Sequence, residues 1–212
     1  FTTACRSRRI MSLQIDSVNE VDGKKVIIIK NAFDENVQRK WIEYYQTVPF
    51  YNNGVAQNIP DGDHTVNFNS NFNLADFMNI FPINDILEIV RMIHPDVSAK
   101  HFHRSYINAI KKLNDNDGHY DFENTDNDPN LFYIVALWMG NPFWGKYDGG
   151  EISFGDLLLK TVEYEWNKLI IFDGTLYHKI LESNTNLTRI TTYTGFTNTQ
   201  NNQIIYKGFN KW

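Results

Sequence analysis

Residues 167–181 read NKLIIFDGTLYHKIL, in which an Asp-Gly pair separates two short segments. The four apolar residues Leu169–Phe172 predict a strand, and Tyr177–Leu181, where Tyr, Ile and Leu flank His178 and Lys179, predicts a second strand after the turn. The same texture extends in both directions along the chain. Further strands are predicted at Lys24–Lys30, Ser105–Leu113, Leu131–Met139, Glu151–Phe154, Thr188–Phe196 and Ile204–Tyr206. Short, regularly spaced strands with Gly, Asn and Asp between them indicate an antiparallel sandwich or barrel.

The first half of the chain has a helical pattern. Apolar residues recur on one face of Phe33–Val48, and Asp34 is its predicted N-cap. Leu74–His94 is also apolar at helical spacing, and Pro82 divides it into two predicted helices. Tyr51–Asn73 is rich in Asn, Asp and Gly and predicts a long loop. Helices followed by strands indicate an α+β protein.

Length and charge limit what the protein can be. The chain has 212 residues, of which 42% are hydrophobic and 15% aromatic, enough to bury one sizeable core. We therefore expect residues 11–212 to form a single domain. Residues 1–10 open on Phe1 and precede Met11, and we interpret them as a vector-derived segment. The net charge of -5 argues against a nucleic-acid partner.

Cysteine content and hydropathy limit where in the cell we expect the protein and which residue types could bind a metal. Cys5 is the only cysteine, which excludes an internal disulfide and a thiolate zinc cluster, so any metal must be bound by His and carboxylate groups. The apolar runs are too short to span a bilayer, and no signal-peptide pattern appears. We expect a cytoplasmic protein with no membrane partner. Abundant Asn and Ile suggest an AT-rich genome, such as that of a virus or phage.

A His-x-Asp pair carries the first chemical signal. His119 and Asp121 follow a predicted strand and are two positions apart, so their side chains leave one face of an extended segment together. His178 follows the strand Leu169–Phe172, and antiparallel pairing can bring it alongside. Two His and one carboxylate on one face of a metal form the facial triad of non-haem iron(II) oxygenases. The pair alone is a weak signal, because such pairs recur by chance.

Arg189 carries the second signal. It lies in the apolar and β-branched run Leu187–Tyr193. A cation inside such a strand loses hydration at a cost in free energy unless it meets an anion. An internal salt bridge or an exposed position would also satisfy it, and the residues alone leave these alternatives open.

Taken together, these motifs resemble the 2-oxoglutarate and iron(II)-dependent dioxygenases, and within them the prolyl 4-hydroxylase-like branch. The resemblance spans about residues 105–196. It rests on His119-x-Asp121, on Gly149-Gly150-Glu151 after Asp148, on Asn167–Phe172 leading to His178, and on Arg189-x-Thr191. It implies a double-stranded β-helix, a jelly-roll or cupin-like barrel with N-terminal helices packed on the outside.

The resemblance implies a metal centre and its cofactors. His119, Asp121 and His178 would be the iron ligands and the catalytic centre. Fe(II) and 2-oxoglutarate would be required, with ascorbate as an accessory reductant. Halogenating relatives lack the carboxylate ligand, so Asp121 favours hydroxylation.

The resemblance also implies a co-substrate site. Arg189 would bind the distal carboxylate of 2-oxoglutarate through its planar fork, and Thr191 would add a hydroxyl. Asn108 matches a strand position where some relatives place a polar co-substrate contact. Prolyl hydroxylases often carry Tyr near this position, whereas this chain has Ala109 and Ile110.

The implied activity is O2-dependent hydroxylation of an unactivated C–H bond, on a prolyl or other peptidyl side chain, with release of succinate and CO2. The partner would be a peptide, a protein or a small molecule. Trp138, Phe143, Trp144 and Tyr147 would form an aromatic substrate wall, with Trp138 and Tyr147 as the contacts, although aromatic residues at such spacing are more often core. Two alternatives remain: a cupin-like module that binds a metal or sugar without turnover, and a jelly-roll scaffold with incidental histidines.

Overall fold

The computed structural model describes residues 14–47, 65–67, 83–110, 118–122 and 130–198. Within these ranges there are two α-helices, α1 (Glu35–Thr47) and α2 (Ile83–Ile93). The same ranges contain ten strands: β1 (Gln14–Val21), β2 (Lys24–Lys30), β3 (Thr65–Asn67), β4 (Phe102–Ile110), β5 (Tyr133–Met139), β6 (Ile152–Phe154), β7 (Lys160–Val162), β8 (Leu169–Asp173), β9 (His178–Ile180) and β10 (Arg189–Thr197).

The strands form two antiparallel sheets. Seven strands pair in the order β1-β2-β8-β5-β10-β4-β3, and three pair in the order β7-β6-β9. The long strand β10 lies between β4 and β5, and both pairings are antiparallel. The predicted antiparallel α+β class is therefore confirmed.

Successive residues of the larger sheet belong to two separate cores, because strand side chains alternate between faces. On β5, Trp138 belongs to the core shared with α1 and α2. Its neighbour Met139 belongs to the core shared with Ile152 and Phe154 of β6. We call the face toward the helices the outer face, and the face toward the three-stranded sheet the inner face.

Helix α1 is fixed at its start and at its middle. Asp34 precedes the helix, and its Oδ1 accepts a hydrogen bond from the Val37 amide at 2.9 Å, so the predicted N-cap is confirmed. Trp41 is fully buried against Trp138, with ring centroids 5.0 Å apart. Its Nε1 donates to the carbonyl oxygen of Gly140 at 3.2 Å. This contact ties the helix to the end of β5.

The predicted strands are confirmed wherever the structure describes them, with small shifts at their ends. The prediction for β4 began at Ser105, whereas the strand starts at Phe102. Helix α2 begins directly after Pro82, where the second predicted helix was expected. The predicted strand Ile204–Tyr206 and the first helix predicted within Leu74–His94 lie outside the described residues.

Three strands were not predicted: β1, β3 and β7. Most of the predicted loop Tyr51–Asn73 lies outside the described residues, but Thr65–Asn67 within it pairs with β4, which corrects the prediction there. β1 is mostly exposed, and its register shifts between Ile15 and Ser17, so its apolar residues do not alternate regularly. These three strands are short or polar, which explains the weak signal.

Asn167 joins α1 to the sheet and gives a stability prediction. It has a left-handed backbone (φ 59), and its Oδ1 accepts from the Phe33 amide at 3.1 Å and from Trp138 Nε1 at 3.2 Å. Its Nδ2 donates to the Phe33 carbonyl at 2.9 Å. Asn167→Gly keeps the backbone conformation but loses three buried hydrogen bonds, so we expect a loss of about 1.5–4 kcal/mol of unfolding free energy.

Asn167→Ala should lose a further 1–2 kcal/mol, roughly, because alanine resists the left-handed conformation. Urea unfolding of both variants measures the difference. An alanine variant as stable as the glycine variant would contradict the backbone part of this account.

Candidate metal centre

His119 and His178 are held side by side by their own backbones. They form an isolated antiparallel bridge, in which the His119 amide donates to the His178 carbonyl at 2.9 Å and the reverse bond is 3.0 Å. Side chains directly opposite each other in an antiparallel pair leave the same face. The two ring centroids accordingly lie 4.4 Å apart. The predicted meeting of the two imidazoles is present in the structure.

Asp121 completes a group of three. Its Oδ1 lies 3.8 Å from His119 Nε2, and its Oδ2 lies 3.5 Å from His178 Nε2. Two atoms that each bind one metal at about 2.1 Å lie at most about 4.2 Å apart, so both separations are compatible with a shared ion. One ligand atom from each residue lies within 4.8 Å of the others.

The environment of Asp121 fits a cation. The residue is 7% exposed, and its Oδ2 has no hydrogen-bond partner among the described residues. A buried carboxylate oxygen without a donor is costly unless a positive charge meets it. Two imidazoles and one carboxylate are a donor set that suits non-haem iron.

The surroundings of the two imidazoles suit metal binding. Burial lowers the pKa of His119 to about 4, with His178 and Arg104 adding to this effect and Asp121 opposing it. The Nδ1 of His178 lies 3.1 Å from the carbonyl oxygen of Leu176. A proton on that Nδ1 would donate to the carbonyl and leave the Nε2 lone pair facing Asp121, as in many metal-binding histidines.

Arg189 lies on the inner face in an unusual environment. It is 1% exposed, its Nε donates to the Gly150 carbonyl at 2.9 Å, and its guanidinium lies 5.0 Å from the centroid of the Tyr164 ring. Its Nη2 is buried and has no partner among the described residues. Burial lowers the pKa of Arg189 to about 10, with Tyr164 and Glu151 opposing this, so the side chain stays cationic at neutral pH.

These contacts decide between the alternatives for Arg189. Its burial rules out an exposed position, and within the described part of the chain it forms no salt bridge. A buried guanidinium with a spare donor therefore fits an anionic ligand. The Gly149-Gly150 turn positions its backbone partner: both glycines have positive φ, and a Cβ on Gly149 would lie 2.5 Å from the Glu182 carbonyl oxygen.

The other two predicted co-substrate residues share this face. Thr191 is two residues from Arg189 on β10, and it pairs directly with Asn108 on β4. Thr191 is buried, whereas Asn108 is half-buried and shares a side-chain hydrogen bond with Tyr106. The structure thus places Arg189, Thr191 and Asn108 on one face of two adjacent strands.

The predicted substrate residues are not brought together. Trp138 is 0% exposed on the outer face, where it packs against Phe33 and Trp41 with ring centroids 5.0 Å away in each case. Its predicted substrate contact is replaced by a role in the core, since its side chain points away from the triad. Tyr147 is 85% exposed in the segment between β5 and β6, and its role stays a prediction.

A largely buried group of residues on the inner face was not predicted. Arg104 lies over the rings of Tyr106 and Tyr193, with its Cζ 5.4 Å and 5.1 Å from their centroids. The two rings stack at 4.5 Å with an interplanar angle of 13°. The Tyr193 hydroxyl donates to the Tyr133 hydroxyl at 3.0 Å. The two-residue spacing of Arg104, Tyr106 and Asn108 was a signal that these side chains share a face.

Neither of the α-helices described here is long and apolar enough to cross a membrane. No protein-family model matches the sequence, and no curated protein matches it.

Solved structures do match. A prolyl hydroxylase from Trichoplax adhaerens, in complex with a hypoxia inducible factor peptide fragment, aligns at TM-score 0.53 and 14% identity, covering 81% of this chain and 82% of that one. The viral collagen prolyl hydroxylase of Paramecium Bursaria Chlorella virus-1 aligns at TM-score 0.54 and 15% identity, covering 84% and 99%. This chain has the fold of the prolyl hydroxylases and related 2-oxoglutarate and iron(II) oxygenases.

A third structure with the same fold was solved with a metal and two small molecules bound. HygX from Streptomyces hygroscopicus, bound to nickel, 2-oxoglutarate and hygromycin B, aligns at TM-score 0.55 and 14% identity, covering 81% of this chain and 82% of that one. At these identities the likeness establishes the fold. Activity has to be argued from the site itself.

Proposed function

We propose that the protein is an oxygenase that uses Fe(II), 2-oxoglutarate and O2 to hydroxylate an unactivated C–H bond, with release of succinate and CO2. One observation carries the proposal: a His-Asp-His group with an unbonded carboxylate oxygen packs against Phe172 of the inner face, and the inner face itself holds a buried arginine with a spare donor. A chelating 2-oxo acid needs both, a metal at one end and a cation at the other. HygX, which shares the fold, was solved with nickel and 2-oxoglutarate.

The triad residues would hold the metal. His119, Asp121 and His178 are expected to bind it on one side and leave its other coordination positions open. The bound iron would supply the redox chemistry that amino-acid side chains lack. The backbone bridge between the two histidines keeps the imidazoles in place before the metal arrives.

The strand β10 would hold the co-substrate. Arg189 offers Nη2 to the distal carboxylate of 2-oxoglutarate, in a site where low polarity strengthens a charge-assisted hydrogen bond. Thr191 would donate its hydroxyl to the same carboxylate. Asn108, opposite Thr191, would support the end of the molecule nearer the metal.

Aromatic residues exclude water from one side of the triad. The ring of Phe172 lies 5.0 Å from that of His178, and the ring of Phe154 lies 6.2 Å away. Both phenylalanines are almost completely buried. Apolar walls of this kind limit side reactions of a reactive centre and strengthen the polar contacts inside it.

We further infer that the two sheets form a double-stranded β-helix, and that residues 11–212 make up one domain. A prolyl or other peptidyl side chain is the proposed substrate, with Tyr147 as a contact. This choice is supported by the likeness to a prolyl hydroxylase solved with a peptide and to a viral collagen prolyl hydroxylase.

The activity is tested by succinate formation. Protein reconstituted anaerobically with Fe(II) is given 2-oxoglutarate and O2, with and without proline-containing peptides. We expect slow succinate release without peptide and faster release with a suitable one. Tight metal binding with no O2-dependent succinate under any condition would instead support a non-catalytic cupin-like module.

Asp121→Gly should abolish hydroxylation while retaining weak metal binding through the two imidazoles, because the change removes one of three ligands and opens its coordination position. Metal content and succinate release are measured on the same preparation. Asp156→Gly is the matched control, since Asp156 is an exposed carboxylate that accepts a hydrogen bond from Tyr120. If the Asp121 variant hydroxylates as fast as the parent, Asp121 is not a ligand.

A further inference from the structure

Tyr164 is a buried tyrosine whose ring lies against the buried arginine of β10. It is 4% exposed and belongs to the segment between β7 and β8. The guanidinium carbon of Arg189 is 5.0 Å from the centroid of its ring. Neither the sequence motifs nor the proposed function assigns Tyr164 a role.

The Tyr164 hydroxyl ties the ring to the strand that carries the arginine. It donates to the carbonyl oxygen of Ile190, the residue after Arg189, and it accepts a hydrogen bond from the Asn141 amide at 2.8 Å. The Ile190 carbonyl also accepts from the Gly140 amide at 2.9 Å. Burial raises the pKa of Tyr164 to about 12, although Arg189 opposes this effect. The phenol therefore keeps its proton, and with it this anchor, at neutral pH.

A closed set of contacts holds the ring and the guanidinium together. The Tyr164 ring packs against Trp144, with ring centroids 5.1 Å apart. The Nε1 of Trp144 donates to the Gly149 carbonyl at 3.0 Å. The next carbonyl, that of Gly150, accepts from the Nε of Arg189 at 2.9 Å. The guanidinium is thus fixed both at its Nε and through its contact with the ring.

An aromatic ring suits this position better than a carboxylate would. A carboxylate would form a salt bridge with Arg189, balance its charge and occupy its donors. A ring attracts the cation through its π electrons and leaves the charge in place. Within the described part of the chain, the Nη2 of Arg189 has no hydrogen-bond partner. The charge and this donor are therefore kept for an anionic ligand.

We infer that Tyr164 is a positioning residue: its ring holds the Arg189 guanidinium in place for the distal carboxylate of the co-substrate. The ring thereby contributes to a preference for a 2-oxo acid with two carboxylates over one with a single carboxylate. This inference rests on the proposed function for the role of Arg189. If Tyr164 only filled space in the core, its loss would lower the stability of the protein without changing this preference.

The preference can be measured without turnover. The protein is loaded with Zn(II), which has no redox chemistry, and is titrated calorimetrically with 2-oxoglutarate and with pyruvate. Pyruvate offers the metal the same 2-oxo acid group but lacks the distal carboxylate. The ratio of the two dissociation constants therefore reports on the arginine end of the site, separately from the metal end.

Two substitutions separate the ring from the hydroxyl. Tyr164→Leu removes the ring, so it should reduce the preference for 2-oxoglutarate about tenfold and change pyruvate affinity little. Tyr164→Phe keeps the ring but loses both hydrogen bonds of the hydroxyl. It should unfold at a lower urea concentration than the parent and still retain most of the preference.

Phe196→Leu is the control for general destabilisation. Phe196 is a fully buried aromatic residue of β10 that belongs to the core on the outer face. Its replacement should lower stability and leave the preference unchanged. A parental preference in Tyr164→Leu, or an equal loss in Phe196→Leu, overturns the inference. A tenfold loss in Tyr164→Phe also overturns it, even if the leucine variant does not fold.

NMR separates this inference from the proposed function. The Nε–H signal of Arg189 is identified by its absence from Arg189→Leu. Tyr164→Leu should shift this signal, because it removes the ring current of the neighbouring ring, and Tyr164→Phe should preserve it. A parent protein with no preference for 2-oxoglutarate would overturn the role of Arg189 in the proposed function. The same NMR response would then still support the positioning of the guanidinium by Tyr164, and an unchanged signal in Tyr164→Leu would contradict it.

Discussion

His178→Ala should reduce metal affinity by more than about 100-fold and abolish succinate formation, since changes to the outer-shell partners of metal ligands already cost about 10- to 100-fold. The remaining imidazole and carboxylate are expected to bind Fe(II) too weakly to retain it against exchange with water. The backbone bridge to His119 uses main-chain atoms only, so the variant should fold. Calorimetric titration with Fe(II) under anaerobic conditions measures the affinity, and circular dichroism checks the fold.

His119→Ala should have the same effect on metal retention, because it removes a ligand of the same type. His94→Ala is the control for both, since His94 is exposed and far along the chain from the triad. Turnover at the parental rate by either ligand variant, with its metal content verified, would refute the triad.

Arg189→Leu should raise the Michaelis constant for 2-oxoglutarate by well over tenfold while leaving the iron affinity of the protein nearly unchanged. Loss of a charge-assisted contact in a desolvated pocket costs roughly 2–5 kcal/mol. Leucine also removes a buried cation whose Nη2 has no partner among the described residues, so folding should survive. Succinate formation at varied 2-oxoglutarate and an iron titration without co-substrate measure the two effects.

Arg189→Lys should be intermediate, because a point charge can meet the carboxylate but cannot match its planar geometry. An unchanged 2-oxoglutarate requirement in Arg189→Leu would place the anchor on another cation. Lys168 is a poor replacement, since its Nζ donates to the Glu163 carbonyl and lies 3.1 Å from the Glu165 carboxylate.

The sequence was most informative where spacing and chemistry agree. His119 and Asp121 share a face because they are two residues apart, and the strand before His178 was visible as an apolar run. The apolar neighbours of Arg189 indicated a buried position but left an exposed one open, and the structure removes the exposed alternative. These features depend on local pattern alone.

The sequence was least informative where strand register decides the outcome. Trp138 and Met139 are adjacent, and only the pairing of β5 with its neighbours determines which of them faces the helices. The hairpin of β1 and β2 was missed, although Asp22-Gly23 is a typical hairpin-turn sequence. In the structure both residues have the positive φ values of a tight hairpin turn. The contacts of Arg104 with Tyr106, Tyr193 and Tyr133 were missed because these residues come from three strands, β4, β10 and β5.

The bridge between His119 and His178 places the two proposed ligands through main-chain hydrogen bonds, which every amino acid except proline can form. The position of each proposed ligand therefore does not depend on the type of its side chain. Exchanging one imidazole for a carboxylate or a thiolate changes the hardness of the donor set without moving the chain that carries it. Side-chain substitutions at these two positions should therefore change which metal ion the protein prefers, while the main chain keeps its position.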